Sequence, residues 1–333
     1  MSLLEVKELQ VEYDSPRGPV KAVDGVSFSI ARGEIFGLAG ESGCGKSTTA
    51  FGICRLLQPP ARLAGGSIEF DGKELTQLSD AEFIRYRWSG MSVVLQSAMS
   101  NLNPVMRIGA QLTDVILSHE PKTSPRDAFE RAKSLLELVE LPAGKLSSYP
   151  HELSGGMRQR VVIAMALALE PDLIIMDEPT TALDVLTQKA IVTRIMELQK
   201  EMNFSVLFIT HDLPLMLEIC DRIGIMYAGK MVEIGSSEQL LTNPRHPYTQ
   251  GLLRSFPSLH GPRTRIAGIP GSPPDLRIKQ TGCRFQSRCA FASEICGSMI
   301  PQELVDEKGM VACHLYGKEV TADELHYAGG QRK

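Results

Sequence analysis

"GESGCGKS", Gly40 to Ser47, is the stretch on which the fold turns. Its glycines let backbone N–H groups converge on phosphate oxygens, and a helix that follows would point its positive dipole end at them. In such a loop Lys46 reaches the β- and γ-phosphates and the Ser47 hydroxyl binds Mg²⁺. The flanks agree with this reading. "GEIFGLAG" is an apolar run that stops at Gly40, and Lys46 to Leu57 reads as a helix closed by Pro59-Pro60. The bland alternative, a glycine-rich turn that matches by accident, is disfavoured by that strand–loop–helix context.

Working outward, residues 3–38 read as short strands, and "GSIEFDG" as a short strand ending at the Asp71-Gly72 turn. From about Leu112 to Leu141 the pattern is helical, as in "RDAFERAKSLLELVEL". Strand-like runs then alternate with helices: "LIIMDEP", a helix from about Thr187 to Met202, and "VLFITHD". That alternation implies a mostly parallel sheet covered by helices. "IGIMYAGKMVEIG" reads as a hairpin turning at Gly229. Composition shifts near Leu241. Seven prolines lie between Pro244 and Pro274, a stretch unsuited to regular helix or central strand. A domain boundary is placed at about residue 240, and no internal repeat is present.

Two further motifs carry chemistry. "LIIMDEP", Leu173 to Pro179, ends in two carboxylates. Asp177 can hold the Mg²⁺ shell, and Glu178 can polarise a water for attack on the γ-phosphate. Alone, such a pair is usually a solvated loop; its meaning comes from the company it keeps. "LSGGMRQR", Leu153 to Arg160, places Ser154 at a helix N-cap, with Gly155 and Gly156 leaving the backbone open to an anion. A silent small-residue cap is the ordinary alternative. A second anion-binding helix start in one chain is explained by a head-to-tail dimer, in which each chain closes over the other chain's ATP.

In this order and spacing the motifs resemble the ABC ATPase family, over roughly Leu3 to Gly235. The resemblance implies a P-loop α/β core with a mostly parallel sheet, an antiparallel β subdomain and a helical subdomain over about residues 97–158. It implies that Tyr13 stacks on adenine and that Gly40, Ser42, Gly43, Cys44, Gly45, Lys46, Ser47 and Thr48 bind the phosphates. Ser47, Gln96 and Asp177 would hold Mg²⁺. Gln96, Glu178 and His211 would serve the attacking water and the γ-phosphate. Ser154, Gly155, Gly156 and Asp184, in "ALD", would act in trans on the partner's ATP.

The second half narrows the resemblance. "SNLNPVMRIGAQL", "HPYTQGLLRSFP", "GIPGSPPDL" and the ending "GCRFQSRCAFASEIC…VACHL" resemble the ATPases of dipeptide and oligopeptide importers and their C-terminal, loop-rich extension. Domains 1–240 and 241–333 follow. "LQSAMSNLNP" departs from many relatives, which carry an acidic residue and a proline after the glutamine; the departure bears on the contact with a membrane subunit. The resemblance also implies a [4Fe-4S] cluster on Cys283, Cys289, Cys296 and Cys313. Read by themselves, these cysteines also allow zinc or four buried thiols, and a reducing cytosol disfavours disulfides. The eight basic residues against one acid between Arg245 and Arg288 read as a solvated basic surface, or as one facing anionic lipid or a metal cluster.

Composition limits the function classes. Of 333 residues 43% are hydrophobic, enough for a packed core. With 35 Lys plus Arg against 39 Asp plus Glu, the chain is weakly acidic, which argues against nucleic acid as the main partner. No signal-peptide core fits the first ten residues, and the longest apolar run, Val161 to Leu169, is well short of the roughly twenty residues a spanning helix needs. The expected location is the cytoplasmic face of the cell membrane, with two permease subunits, a second ABC ATPase chain, identical or not, and indirectly a solute-binding protein as partners. Peptide import is the main reading. Import of oligosaccharides or a nickel complex, and a soluble ABC ATPase acting on ribosomes or DNA, are the alternatives.

Overall fold

The computed structural model describes residues 2–96, 101–181, 183–255 and 268–316. Strands β1 (Ser2–Tyr13), β2 (Val20–Ala31) and β3 (Ile35–Ala39) lead into α1 (Lys46–Ile53). Strand β4 (Ala61–Phe70), the two-residue β5 (Lys73–Glu74), α2 (Asp80–Phe83) and β6 (Met91–Val94) follow. Next come α3 (Ile108–His119), α4 (Pro125–Leu138), α5 (Gly155–Leu167), β7 (Leu173–Asp177), α6 (Val185–Met202) and β8 (Ser205–Ile209). After them lie α7 (Leu213–Ile219), β9 (Arg222–Tyr227), β10 (Lys230–Ser236), α8 (Ser237–Thr242) and α9 (Pro247–Arg254). The described chain closes with α10 (Glu294–Ser298), β11 (Glu303–Asp306) and β12 (Gly309–Ala312). These elements form two compact units.

The first unit is built mainly from Asp71–Ile209. Its strands β6, β7 and β8 pair in parallel, with Met91 opposite Leu173 and Leu173 opposite Ser205. All five residues of β7 and of β8 are buried, which is why both read as unbroken apolar runs. Helices α3, α4 and α5 pack on one another. The helical pattern read over about Leu112–Leu141 is carried by two helices, α3 and α4. Ser124 caps α4 by accepting from Asp127 N–H at 3.1 Å, and Pro125 takes the first helical position, so a new helix starts after the polar stretch between them.

The second unit comprises Leu4–Ser29, Phe36–Phe70 and the chain from Thr210 onward. Strands β1 and β4 pair antiparallel from Leu4 opposite Phe70 to Tyr13 opposite Ala61. They are longer than the short strands expected, β1 and β2 having 12 residues each. Strand β3 runs parallel to β9, while β10 is antiparallel to β9 and to β12, and β12 to β11. The chain's last strands thus extend the β9–β10 hairpin. That hairpin turns at Ala228 and Gly229, both at positive φ. Gly229 N–H donates to Cys44 O at 2.9 Å and Gly229 O accepts from Asp24 N–H at 2.9 Å, so the tip is tied to the phosphate loop and to β2.

The expectation that the proline-rich stretch holds no regular helix is corrected. The stretch contains a regular helix, α9, because Pro247 occupies the first helical position, where its missing N–H has no partner to lose. The His246 ring accepts from Tyr248 N–H at 3.0 Å through Nδ1 and caps the same end. Of the basic residues counted there, Arg254, Arg277 and Lys279 are exposed, but three arginines are turned inward. Arg245 pairs with Asp306 at 2.7 Å, Arg284 with Asp24, and Arg288 with Glu41, all three guanidiniums being buried or nearly so. The charge of these three is met by acids elsewhere in the unit. Among the described residues no helix is long and apolar enough to cross a membrane.

Candidate functional site

The phosphate-loop motif stands between the wholly buried β3 and α1. Gly40 and Gly45 are required twice over. Both have positive φ, and a Cβ would lie 2.2 Å from Met226 O at Gly40 and 2.4 Å from Ala22 O at Gly45. The loop is therefore pressed against β9 and β2, and only backbone without side chains fits. Lys46 opens α1 and is buried, with its ammonium turned under the loop. It donates to Gly40 O at 2.8 Å and Glu41 O at 3.1 Å, with Cys44 Sγ at 3.8 Å. Ser42 and Gly43 are exposed, and Ser47 and Thr48 half-buried. Tyr13 hydroxyl lies 3.2 Å from Thr48 Oγ1, placing the aromatic ring beside the start of α1. Burial pushes the Cys44 thiol up against the opposing charge of Lys46, so it sits there as a neutral group.

The carboxylates belong to the first unit. Asp177 ends β7 and is 2% exposed. Glu178 follows at φ +52°, a left-handed conformation that costs a residue with a side chain on the order of 1–2 kcal/mol. Its N–H donates to Ile209 O at 2.8 Å, and its carboxylate accepts from Thr181 Oγ1 at 2.9 Å. This turn lifts Glu178 out of the strand direction and holds its carboxylate half-exposed. Gln96 and His211 are both exposed, just beyond the ends of β6 and β8. Within the first unit, Gln96 follows β6, which pairs with β7, so Gln96 and the strained Glu178 both stand just past the ends of neighbouring parallel strands.

The Ser154-capped helix start is also in the first unit. Ser154 Oγ accepts from Met157 N–H at 3.3 Å and caps α5. Gly155 is exposed and Gly156 half-buried. A Cβ on Gly156 would come within 2.5 Å of Thr187 Cγ2. Thr187 is in turn held by Asp184, which accepts from its N–H at 2.9 Å and its hydroxyl at 2.7 Å and so caps α6. These bonds hold the Asp184 carboxyl below the usual range. The N-terminal turn of α5 and the start of α6 are thereby one packed element. Val185 and Leu186, just after Asp184, are the apolar exception, both largely exposed. Ala182 of the "ALD" motif, Ser97–Ser100 after Gln96, and residues 256–267 and 317–333 lie outside the described residues.

The C-terminal part supplies residues that sequence reading missed. Arg288 grips Glu41, inside the phosphate-loop motif, with two bonds of 2.7 and 2.8 Å. Glu41 N–H donates to Tyr248 hydroxyl at 2.8 Å. Tyr227, Tyr248 and Phe285 form the ring cluster behind these contacts, with centroids 4.6 to 5.4 Å apart. Glu233, itself buried, accepts from Arg245 and His246 N–H at 2.7 and 2.9 Å and fixes the entry to α9. Its carboxyl is raised by burial, and the buried His246 ring is pushed down to about 3 by the same cause. The excess of arginine over acid between 245 and 288 was the available signal, since buried arginines need carboxylates from elsewhere.

The four C-terminal cysteines are free and half-buried. Burial pushes the Cys313 thiol up to about 12, helped by Cys283, Cys289 and Cys296, so the four lie in one neighbourhood. Gly282 is needed there because a Cβ would meet Cys296 O at 2.2 Å. Among the described residues, however, no three His, Cys, Asp or Glu side chains are arranged to hold a metal ion.

Residues 23–181 match the family model described as ABC transporter, and residues 232–296 the one described as oligopeptide/dipeptide transporter, C-terminal region. The oligopeptide transport ATP-binding protein OppD of Escherichia coli K12 is 44% identical, over 94% of this chain and 93% of its own length. This chain belongs to the ABC transporter family, in its peptide-type ATP-binding branch. The dipeptide transport ATP-binding protein DppD of Bacillus subtilis 168 is likewise 44% identical, over 94% of each chain. A dimeric bacterial ABC transporter cassette superposes with TM-score 0.64 at 28% identity, covering 70% of this chain and 98% of that one. A related cassette dimer, in a post-hydrolysis state bound to ADP and Pi, gives 0.63. The ABC transporter match takes in the phosphate loop, the "LSGGMRQR" motif and Glu178, whereas Arg245, Tyr248, Arg284 and Arg288 fall in the peptide-type C-terminal region.

Proposed function

We propose that this ABC subunit hydrolyses MgATP to drive uptake of dipeptides or oligopeptides. The observation that carries this reading is whole-chain similarity to OppD and DppD that includes the C-terminal region, not the ATPase core alone. Residues 1–240 are the nucleotide-binding domain, with its helical part over about 97–158, and 241–333 the peptide-type extension. Lys46, Ser47, Thr48 and the backbone of Gly40, Ser42, Gly43, Cys44 and Gly45 bind the phosphates, and Tyr13 stacks on adenine. Ser47, Gln96 and Asp177 hold Mg²⁺. Glu178 takes a proton from the attacking water as it bonds to the γ-phosphorus and ADP leaves. His211 contacts the γ-phosphate. Ser154, Gly155, Gly156 and Asp184 act on the nucleotide of a second ABC chain. Two permease subunits span the membrane, a solute-binding protein delivers cargo, and this chain works peripherally on the cytoplasmic face.

The test is reconstitution of the chain with the products of neighbouring permease and binding-protein genes in vesicles. ATP-dependent accumulation of a labelled peptide is expected. Accumulation of an oligosaccharide or a nickel complex in its place would move the reading to that cargo. Stable co-purification with ribosomes or DNA and no permease would overturn it.

The extension also carries the cysteine proposal. Cys283, Cys289, Cys296 and Cys313 are read as ligands of a [4Fe-4S] cluster, with Zn²⁺ the alternative; thiols gathered in one neighbourhood support this, and metal would have to draw them closer than they now stand. Such a group would staple a segment with little core of its own. Anaerobically purified protein is expected to be coloured and to contain iron and acid-labile sulfide. Stoichiometric zinc without colour selects zinc. Four titratable thiols and no metal after anaerobic reconstitution would sink both.

A further inference from the structure

Glu41 has no role in the nucleotide chemistry proposed above, yet its backbone and side chain are both firmly held. Its carbonyl accepts from Lys46 Nζ at 3.1 Å and from Cys44 N–H at 3.2 Å. Its N–H donates to Tyr248 hydroxyl, and both carboxylate oxygens accept from Arg288. Arg288 is itself fixed. It donates to Pro270 O at 2.8 Å and Ile269 O at 3.1 Å, lies 3.3 Å from Tyr227 hydroxyl, and has its side chain only 4% exposed. The rings of Tyr227 and Phe285 lie 5.6 and 6.0 Å from its guanidinium. A two-bond guanidinium–carboxylate pair fixes orientation as well as distance, and here the guanidinium is shielded while the Glu41 side chain is 28% exposed.

We propose that Arg288 and Tyr248 are positioning residues for nucleotide binding: by holding Glu41 from the C-terminal region, they set the loop carbonyls that place Lys46. They touch neither phosphate nor Mg²⁺. Their contribution is to order the loop before the nucleotide arrives, so that binding does not have to order it. The C-terminal region thereby becomes part of the ATP site. Arg284 adds a second tie beside it, to Asp24 and to Ala228 O at the hairpin tip that holds Cys44 O. Both arginines lie between Cys283 and Cys289.

This inference rests on the ATPase reading, and the experiment separates the two. KM for MgATP and kcat are measured on the full chain in its transporter complex, for wild type, Arg288→Met, Glu41→Gln, the double variant and Tyr248→Phe. Arg288→Met is expected to raise KM about tenfold with kcat changed less than about twofold, the signature of lost ground-state binding. The double variant should be no worse than Arg288→Met, because the shared pair is lost only once. Tyr248→Phe keeps the ring and should raise KM about threefold, on the scale of one hydrogen bond. Should Arg288→Met fail to fold, Tyr248→Phe decides. Unchanged KM in the folded variants, or kcat falling in step with melting temperature while KM holds, overturns the positioning role. Wild type that fails to bind MgATP would instead overturn the ATPase reading itself.

Discussion

Glu178→Gln protein is expected to bind ATP as well as wild type and to hydrolyse it at least about a hundredfold more slowly, the scale of a lost general base. The substitution keeps shape. The side chain stays within reach of Thr181 Oγ1, now 2.9 Å from the carboxylate, and the left-handed backbone at φ +52° is unaffected by exchanging oxygen for nitrogen. What is lost is a group able to accept a proton from water. Since binding would favour the closed dimer and hydrolysis would release it, ATP-loaded Glu178→Gln protein should accumulate as a dimer. Gel filtration with ATP and single-turnover release of phosphate measure the two effects. Wild-type turnover in this variant would remove Glu178 from the role.

Lys46→Ala is expected to act on an earlier step, weakening ATP binding at its own site by about 10- to 100-fold, the range for a hydrogen bond to a charged group. The loss is compounded within the loop, because Gly40 O and Glu41 O both lose their ammonium donor. Ser154→Ala should leave that site intact and impair the partner's. Ser154 is an exposed cap in the unit that lacks the phosphate loop, and among the described residues its hydroxyl has only the Met157 N–H as a bond. Site-resolved nucleotide trapping in mixed dimers checks both. Loss confined to the Lys46 site of the Ser154→Ala chain would contradict the head-to-tail arrangement.

The held Glu41 ties the C-terminal region physically to the phosphate-loop motif. A helix, α9, brings Tyr248 to the loop, and α9 exists because Glu233, Pro247 and His246 together satisfy its first turn. The chain is thus organised so that a region outside the ABC transporter match braces the loop inside it.

Local pattern alone determined much of this protein. The phosphate loop was legible because Gly40 and Gly45 answer to backbone geometry that no other residue meets, and β7 and β8 because strands buried on both faces must be apolar throughout. The Ser154 cap and the Gly229 hairpin were legible for the same reason: each is settled by residues within a few positions. Local pattern misread the chain where proline took the one helical position that tolerates it, as at Pro247. Only the tertiary structure decided where the arginines of the extension go. Arg288 and Glu41 stand 247 positions apart, and Arg284 and Asp24 stand 260 apart. A charge pair leaves no periodicity and no fixed spacing along the chain. Its partner is chosen by burial, because a guanidinium drawn into the interior must meet a carboxylate there, whichever part of the sequence supplies it.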